Sequence, residues 1–297
     1  RGVVYSPDFL PAKSISAETR FFTMKVFTQA AALQKEINRL KLNGAQVGFV
    51  PTMGALHTGH MSIVEKCQST CDVTLVSIYV NPLQFNSSVD FKTYPIKTDE
   101  DMKMLESQGC DLLFLPLQEE MEPAEIEKNF NLEGLDEIME GKFRPGHLQG
   151  MIAIVNKFFK TVQPDKAFFG EKDYQQLAAV KLLVKKRKMD IEIVPCPTKR
   201  ESSGLAMSSR NSLLTQEERE EAVKIYETLV YARRNTDRLS PLELKMKCLE
   251  MLSESSIKPE YFEILDESTF EEVEDWNESK KPRAFVAAYL GKVRLID

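Results

Sequence analysis

A chain of 297 residues with 42% hydrophobic and 28% charged side chains can bury a sizeable core, as one large domain or two ordinary ones. Its net charge of −6 argues against a general polyanion binder, and so against nucleic acid, but leaves room for a nucleotide, which needs only a local positive site. No apolar run approaches the ~18 residues of a membrane span, and five cysteines without a C-x-x-C fit small apolar residues in a reducing, cytoplasmic compartment.

Residues 1–23 lack the apolar centre of a signal peptide and read as a leader or extension outside the fold. From Met24, "MKVFTQAAALQKEINRLK" reads as an amphipathic helix. "VGFV", Val47 to Val50, is a short apolar strand ending at "PTMGALHTGH". A helical pattern follows through Val64, Cys67 and Cys71. "VTLVSIYV", Val73 to Val80, is a β-branched strand that ends in "NPLQF". Thr98 to Gly109 reads as a helix with Thr98 and Asp101 as a capping box. "DLLFLP" is a strand, and after an acidic loop and "FRPGHLQG" comes the helix "MIAIVNKFFKTV". "KAFFG" is a strand ended by "GEKDYQQL", then a helix, then the strand "IEIVPCP".

Strands alternating with helices predict an open, Rossmann-like parallel sheet with helices on both faces, over residues 24–212. The polar motifs fall at the carboxyl ends of strands, where such sheets bind ligands. From Leu213 the pattern changes. Thr215 with Glu218, and Ser240 with Pro241 and Glu243, open two capped helices. "YFEILD" and the hairpin "RAFVAAYL-GK-VRLID" follow, so residues 213–297 read as a small, lid-like α+β domain.

Gly54 and Gly59 have the spacing of a phosphate-binding loop, but His60 and Met61 stand where Lys and Ser or Thr would be. Glycine lets backbone approach an anion, and a helix start offers free N–H groups. His57 and His60 would add directed hydrogen-bond donors, which suit a phosphorus centre that changes geometry. The bland alternative is a tight turn with two solvated histidines. In "GLAMSSRN", Arg210 offers a bidentate fork, and Ser208 and Ser209 offer hydroxyls, on a flexible loop. In "GEKDYQQL", Lys172 could meet phosphates and Asp173 a ribose or metal; the alternative is a surface turn with Asp173 as cap. Gln84 and Gln176 are uncharged amides suited to a hydroxylated substrate, with Met53 and Phe85 as an apolar wall. No G-x-S-x-G, H-E-x-x-H or G-x-G-x-x-G is present.

Taken together, "PTMGALHTGH", "SIYVNPLQF", "FRPGH", "FFGEKDYQQL", "RESSGLAMSSRN" and the closing "GKVRLID" resemble the pantothenate synthetase (pantoate–β-alanine ligase) family. These are ATP-dependent ligases of the H-x-G-H nucleotidyltransferase superfamily, and the resemblance runs from Met24 to Asp297. It implies two steps: pantoate and Mg-ATP give pantoyl adenylate and pyrophosphate, and β-alanine then releases pantothenate and AMP. By motif, it implies catalytic roles for His60, His57, Lys172 and Arg210. It implies an ATP site of Met53, Gly54, Ala55, Leu56, His57, Thr58, Gly59 and His60, completed by Gly170, Glu171, Lys172 and Asp173, by Lys199, and by Met207, Ser208, Ser209 and Arg210. Gln84 and Gln176, with Asn81 and Met53, would hold pantoate. Magnesium would ride mainly on the phosphates, with Glu100 or Asp101 as candidate ligands, and the family resemblance implies a homodimer. Ile96 stands where an arginine is usual, and Lys199 where an apolar residue is.

Overall fold

The computed structural model describes residues 24–86, 88–121, 129–279 and 281–297. The expected leader, 1–23, and most of the expected acidic loop lie outside the described residues. Six strands form the first sheet: β1 (Lys25–Phe27), β2 (Val47–Thr52), β3 (Val73–Ile78), β4 (Leu112–Phe114), β5 (Lys166–Gly170) and β6 (Glu192–Cys196). Their order is β1-β4-β3-β2-β5-β6, and every pairing is parallel. The inner strands β2, β3 and β4 are buried on both sides, so successive residues feed two cores. Leu75 and Phe49 pack with the helices α1 (Ala30–Leu42), α6 (His147–Val162) and α7 (Tyr174–Arg187). Their neighbours Val76 and Val50 pack instead with α2 (Thr58–Gln68) and α4 (Thr98–Ser107). Two short helices, α3 (Ser88–Thr93) and α5 (Met139–Phe143), lie in the connections.

Two local expectations are corrected. The helix expected from Met24 begins only at Ala30, and its Gln29 cap makes no side-chain bond. Lys25, Val26 and Phe27 instead pair with Leu112, Leu113 and Phe114 as the edge strand, because the sheet edge satisfies their backbone groups. The expected Thr98–Asp101 capping box does not form: Lys97 precedes α4 without a side-chain cap bond. Asp101 is turned into the protein and is only 2% exposed.

The chain runs β2, β3, β4 away in one direction, then returns to add β5 and β6 on the other side of β2. The strand order therefore reverses between β2 and β5, and a crevice opens beyond their carboxyl ends. The segments that follow β2, β3, β5 and β6 all meet there.

The C-terminal region contains α8 (Gln216–Arg234), α9 (Pro241–Ser253) and an antiparallel sheet ordered β7 (Ile257–Asp266), β8 (Pro282–Leu290), β9 (Val293–Ile296). Both expected capping boxes are present, Thr215 with Glu218 and Ser240 with Glu243. Alternation again sets two faces. Phe262, Val286 and Ala288 pack with α8 and α9. Tyr261, Phe285 and Ala287 face the first unit through Met139 and Tyr174. The β8–β9 turn, Gly291 and Lys292, brings Arg294 to the crevice.

Candidate active site

The loop between β2 and α2 is held in an unusual backbone shape. Gly54 has φ 81° and Ala55 φ 49°, both left-handed, which a non-glycine residue adopts only at a cost of about 1–3 kcal/mol. Asp101 stabilises it by accepting the amide hydrogens of Ala55 at 2.8 Å and Leu56 at 2.7 Å. Burial pushes the Asp101 carboxyl above its usual range, against the pull of those two amides.

The loop delivers both histidines to the start of α2. His57 is the N-cap, and its Nδ1 accepts from the Gly59 amide at 3.1 Å. His60 Nδ1 accepts from the His57 amide at 3.3 Å. A neutral imidazole has one donor and one acceptor nitrogen, so both rings carry their proton on Nε2. Burial, then the Lys172 ammonium, pushes His57 down to about 4, against the Glu201 carboxylate. Burial, then His57 and Lys172, pushes His60 down to about 3. Both are neutral Nε2–H donors at pH 7, and their ring centroids are 4.1 Å apart.

They border a cavity of about 770 Å³ at the crevice. Met53, Gly59, His57 and His60 line it from the first loop, and Asn81, Gln84 and Phe85 from the second. Gly170, Lys172, Asp173 and Gln176 enter after β5. Lys199 and the stretch Met207 to Arg210 close another side. Met151, Val155, Phe158 and Phe168 give an apolar floor.

Other candidates stand elsewhere. Gly54, Ala55 and Asp101 border a smaller pocket of about 340 Å³ behind the loop. The Leu56 side chain is in the core, and the Thr58 hydroxyl donates to Met207 Sδ at 2.8 Å. Glu171 approaches Arg283 at 3.8 Å. Glu100 pairs with Lys97 at 2.9 Å, and Asp101 spends both oxygens on backbone, which leaves neither aimed at the cavity. Asn81 lines the cavity, but its amide is turned inward. It receives the Leu83 amide and donates to the Gly150 carbonyl at 3.0 Å and to Gln84 Oε1 at 3.1 Å.

Two cavity residues went unassigned in the sequence reading, although "FRPGH" contains them: Arg144 and His147. His147 Nδ1 donates to the Gln84 carbonyl at 2.6 Å, so its Nε2 is the acceptor. That nitrogen receives Arg144 at 3.0 Å and the Gln176 amide at 3.2 Å. Burial, then the Arg144 charge, pushes His147 down to about 4, opposed by the Gln84 bond and Glu140. His147 thus bridges Gln84 and Gln176, which lie on different elements. Pairings across such sequence distances leave no periodic signal.

The cavity combines two neutral imidazole donors at a helix start, cations and two amides over an apolar floor. The loop amides of Ala55, Leu56, His57 and Gly59, expected from the sequence to be free, are already spent on Asp101 and the two imidazoles. Residues 25–297 match the family model described as pantoate-beta-alanine ligase. The chain belongs to the pantoate–β-alanine ligase family. It is 44% identical to a pantothenate synthetase of Bacteroides fragilis over 276 residues, covering 92% of this chain and 98% of that one. A pantothenate synthetase of Coprothermobacter proteolyticus is 40% identical over 280 residues, with the same coverage. The crystal structure of pantothenate synthetase from Thermus thermophilus superposes with a TM-score of 0.86 at 38% identity, covering 92% of this chain and 98% of that one. The ligase of Francisella tularensis, complexed with beta-gamma ATP and beta-alanine, gives 0.77 at 38% identity, covering 93% and 97%.

Proposed function

We propose that this chain condenses pantoate with β-alanine in two chemical steps at the cavity between β2 and β5. A pantoate carboxylate oxygen attacks the α-phosphorus of ATP, and the bond to the bridging oxygen breaks, releasing pyrophosphate. The β-alanine amine then attacks the acyl carbon of pantoyl adenylate. The C–N bond forms, the amine gives up a proton, and AMP leaves as a phosphate anion.

The observation that carries this reading is the pair of Nε2–H donors at the head of α2. In the first step nothing needs a proton: the nucleophile is already a carboxylate and pyrophosphate is a stable anion. What the step needs is fixed donors for oxygens whose charge shifts as phosphorus changes geometry. His60, and His57 beside it, supply these without gaining or losing a proton. Lys172 and Arg210 bring positive charge to the triphosphate, and Ser208 and Ser209 bring hydroxyls. Gln84 and Gln176 hold the hydroxyls and carboxylate of pantoate, and the floor of Met151, Val155 and Phe158 takes its two methyl groups.

Among the described residues no group of three or more His, Cys, Asp or Glu could hold a metal ion. The donor set fits an ion carried by the phosphates, with Asp173 the carboxylate that would meet it. When bound, magnesium would neutralise phosphate charge. We place the domain boundary near Leu213 and read the chain as a cytoplasmic homodimer. Free cysteines fit a reducing compartment, and no described helix is long and apolar enough to cross a membrane.

The test is purified chain with ATP, magnesium, pantoate and β-alanine. Sustained AMP and pyrophosphate release that needs both acid and amine is expected; ATP consumption independent of pantoate would contradict the proposal.

A further inference from the structure

Glu140, in the first turn of α5, is 6% exposed and carries no part of the chemistry above. Its carboxylate is crowded with donors. Arg294 of β9 grips it with two bonds, at 2.7 and 2.9 Å. The Tyr261 hydroxyl of β7 adds one at 2.7 Å. Arg144 adds a longer one at 3.2 Å. Burial alone would raise the Glu140 carboxyl, but Arg294 and Arg144 hold it down at about 2, fully ionised.

Arg144 is therefore shared. Its Nη1 donates both to Glu140, at 3.2 Å, and to His147 Nε2, at 3.0 Å, while its Nη2 donates to the Gln84 carbonyl at 3.4 Å. His147 in turn holds Gln176 and the backbone of Gln84. Two guanidinium groups meet on the buried Glu140 carboxylate, and Arg294 is also held from its other side by Glu260, through Nε at 3.0 Å and Nη2 at 2.5 Å. With Arg294 and Tyr261 filling its lone pairs, Glu140 leaves Arg144 turned toward His147. With Arg294 gone, Arg144 is the remaining counter-charge, and the stronger bidentate fork would draw it onto Glu140 and off His147. A buried ion pair is weak evidence for added stability, and its use in fixing one arrangement has to be argued case by case. Here the arrangement fixed is that of the two amides.

We infer that Arg294 is a positioning residue for the acid-binding half of the site: by saturating Glu140 it holds Arg144 against His147, and so sets Gln84 and Gln176. The inference rests on reading those two amides as the pantoate subsite. It also makes that subsite depend on how the C-terminal sheet is seated, since Arg294 and Tyr261 both belong to it.

The experiment is Arg294→Met, with KM for pantoate and for ATP measured separately. Pantoate KM should rise about ten-fold, the scale of one lost charged hydrogen bond, with ATP KM within about two-fold. The chain has only three histidines, so imidazole nitrogen resonances are resolvable. In ligand-free Arg294→Met the His147 signals should shift while those of His57 and His60 stay. That readout separates positioning from direct contact with substrate. Unchanged His147 signals, an unchanged pantoate KM, or both KM values rising together would overturn the inference. Should Arg294→Met fail to fold, Tyr261→Phe carries the test. It frees one Glu140 lone pair and does not border the cavity. It should raise pantoate KM about three-fold, and no change there overturns the inference equally. Gln84→Ala in the same assay separates the two claims. If it leaves pantoate KM unchanged, the subsite reading fails; if it raises KM and Arg294→Met does not, only the role of Arg294 fails.

Discussion

Asp101→Asn probes the loop that carries both histidines. Asp101 accepts two backbone amides through two separate oxygens, at 2.8 and 2.7 Å, in a buried setting. Asparagine keeps one oxygen and puts an NH2 where the other was, so one charge-assisted bond is lost and two donors face each other. One such bond is worth about 1.5–3 kcal/mol, and a buried amide left without an acceptor costs about 1–3 kcal/mol, so a loss near ~3 kcal/mol is expected. For a chain of this size each kcal/mol moves the melting midpoint by about 2 °C or more, which gives a drop of ~6 °C. The loop also relaxes, because the left-handed Ala55 loses the bond that holds it. His57 and His60 then lose register with the triphosphate, and kcat/KM for ATP should fall about ten-fold, as for small misplacements of reacting groups. Calorimetry, and steady-state kinetics over a range of magnesium concentrations, measure both effects. An unchanged midpoint with unchanged ATP kinetics would refute the reasoning. A raised magnesium requirement at an unchanged midpoint would instead restore the metal-ligand role that the acidic pair suggested in the sequence.

Two further outcomes follow from other contacts. A Cβ at Gly150 would lie 2.0 Å from the Leu83 carbonyl oxygen, so Gly150→Ala must push the 81–85 turn outward. Pantoate KM should rise more than ATP KM, and equal values for wild type and variant would count against the placement of that turn. The pH dependence of stability has a definite sign. His57, His60 and His147 titrate in the fold at about 4, 3 and 4, below the ordinary 6.5. The unfolded chain thus binds more protons below 6.5, and stability falls as pH drops from 6.5 toward 4. Glu140, at about 2 instead of 4.5, adds to the loss below 4.5. A thermal midpoint that stays level down to pH 5 would contradict this.

What the sequence made legible was local or repeated. The capping boxes at Thr215 and Ser240 and the Gly291–Lys292 turn depend on residues within a few positions, and they form as written. The parallel sheet is announced by short apolar strands alternating with helices. The edge strand at Lys25 has three residues and no alternation, and it exists because Leu112 to Phe114 offer a partner. Asp101 shows the limit of spacing arguments. The same carboxylate that could close a box on Thr98 reaches backbone amides 45 and 46 positions away. The candidate cavity was legible as motifs at strand ends, but its internal wiring was not. Arg144 and His147 acquire meaning only when Gln84, Gln176 and Glu140 stand beside them, and Glu140 meets Arg294 across 154 residues.

The central claim is that His60 acts as a neutral donor at the α-phosphorus. It is tested most directly by single-turnover release of pyrophosphate from ATP and pantoate, without β-alanine, for wild type, His60→Ala and His60→Gln. Loss of a preorganised donor should slow His60→Ala by ~10²-fold or more, with partial recovery in His60→Gln, whose amide N–H can stand near the Nε2 position. The wild-type rate should show no histidine titration between pH 6 and 8, since His60 titrates at about 3. A near-normal rate for His60→Ala, or a wild-type rate that falls as a group near pH 6.5 loses its proton, would contradict the account.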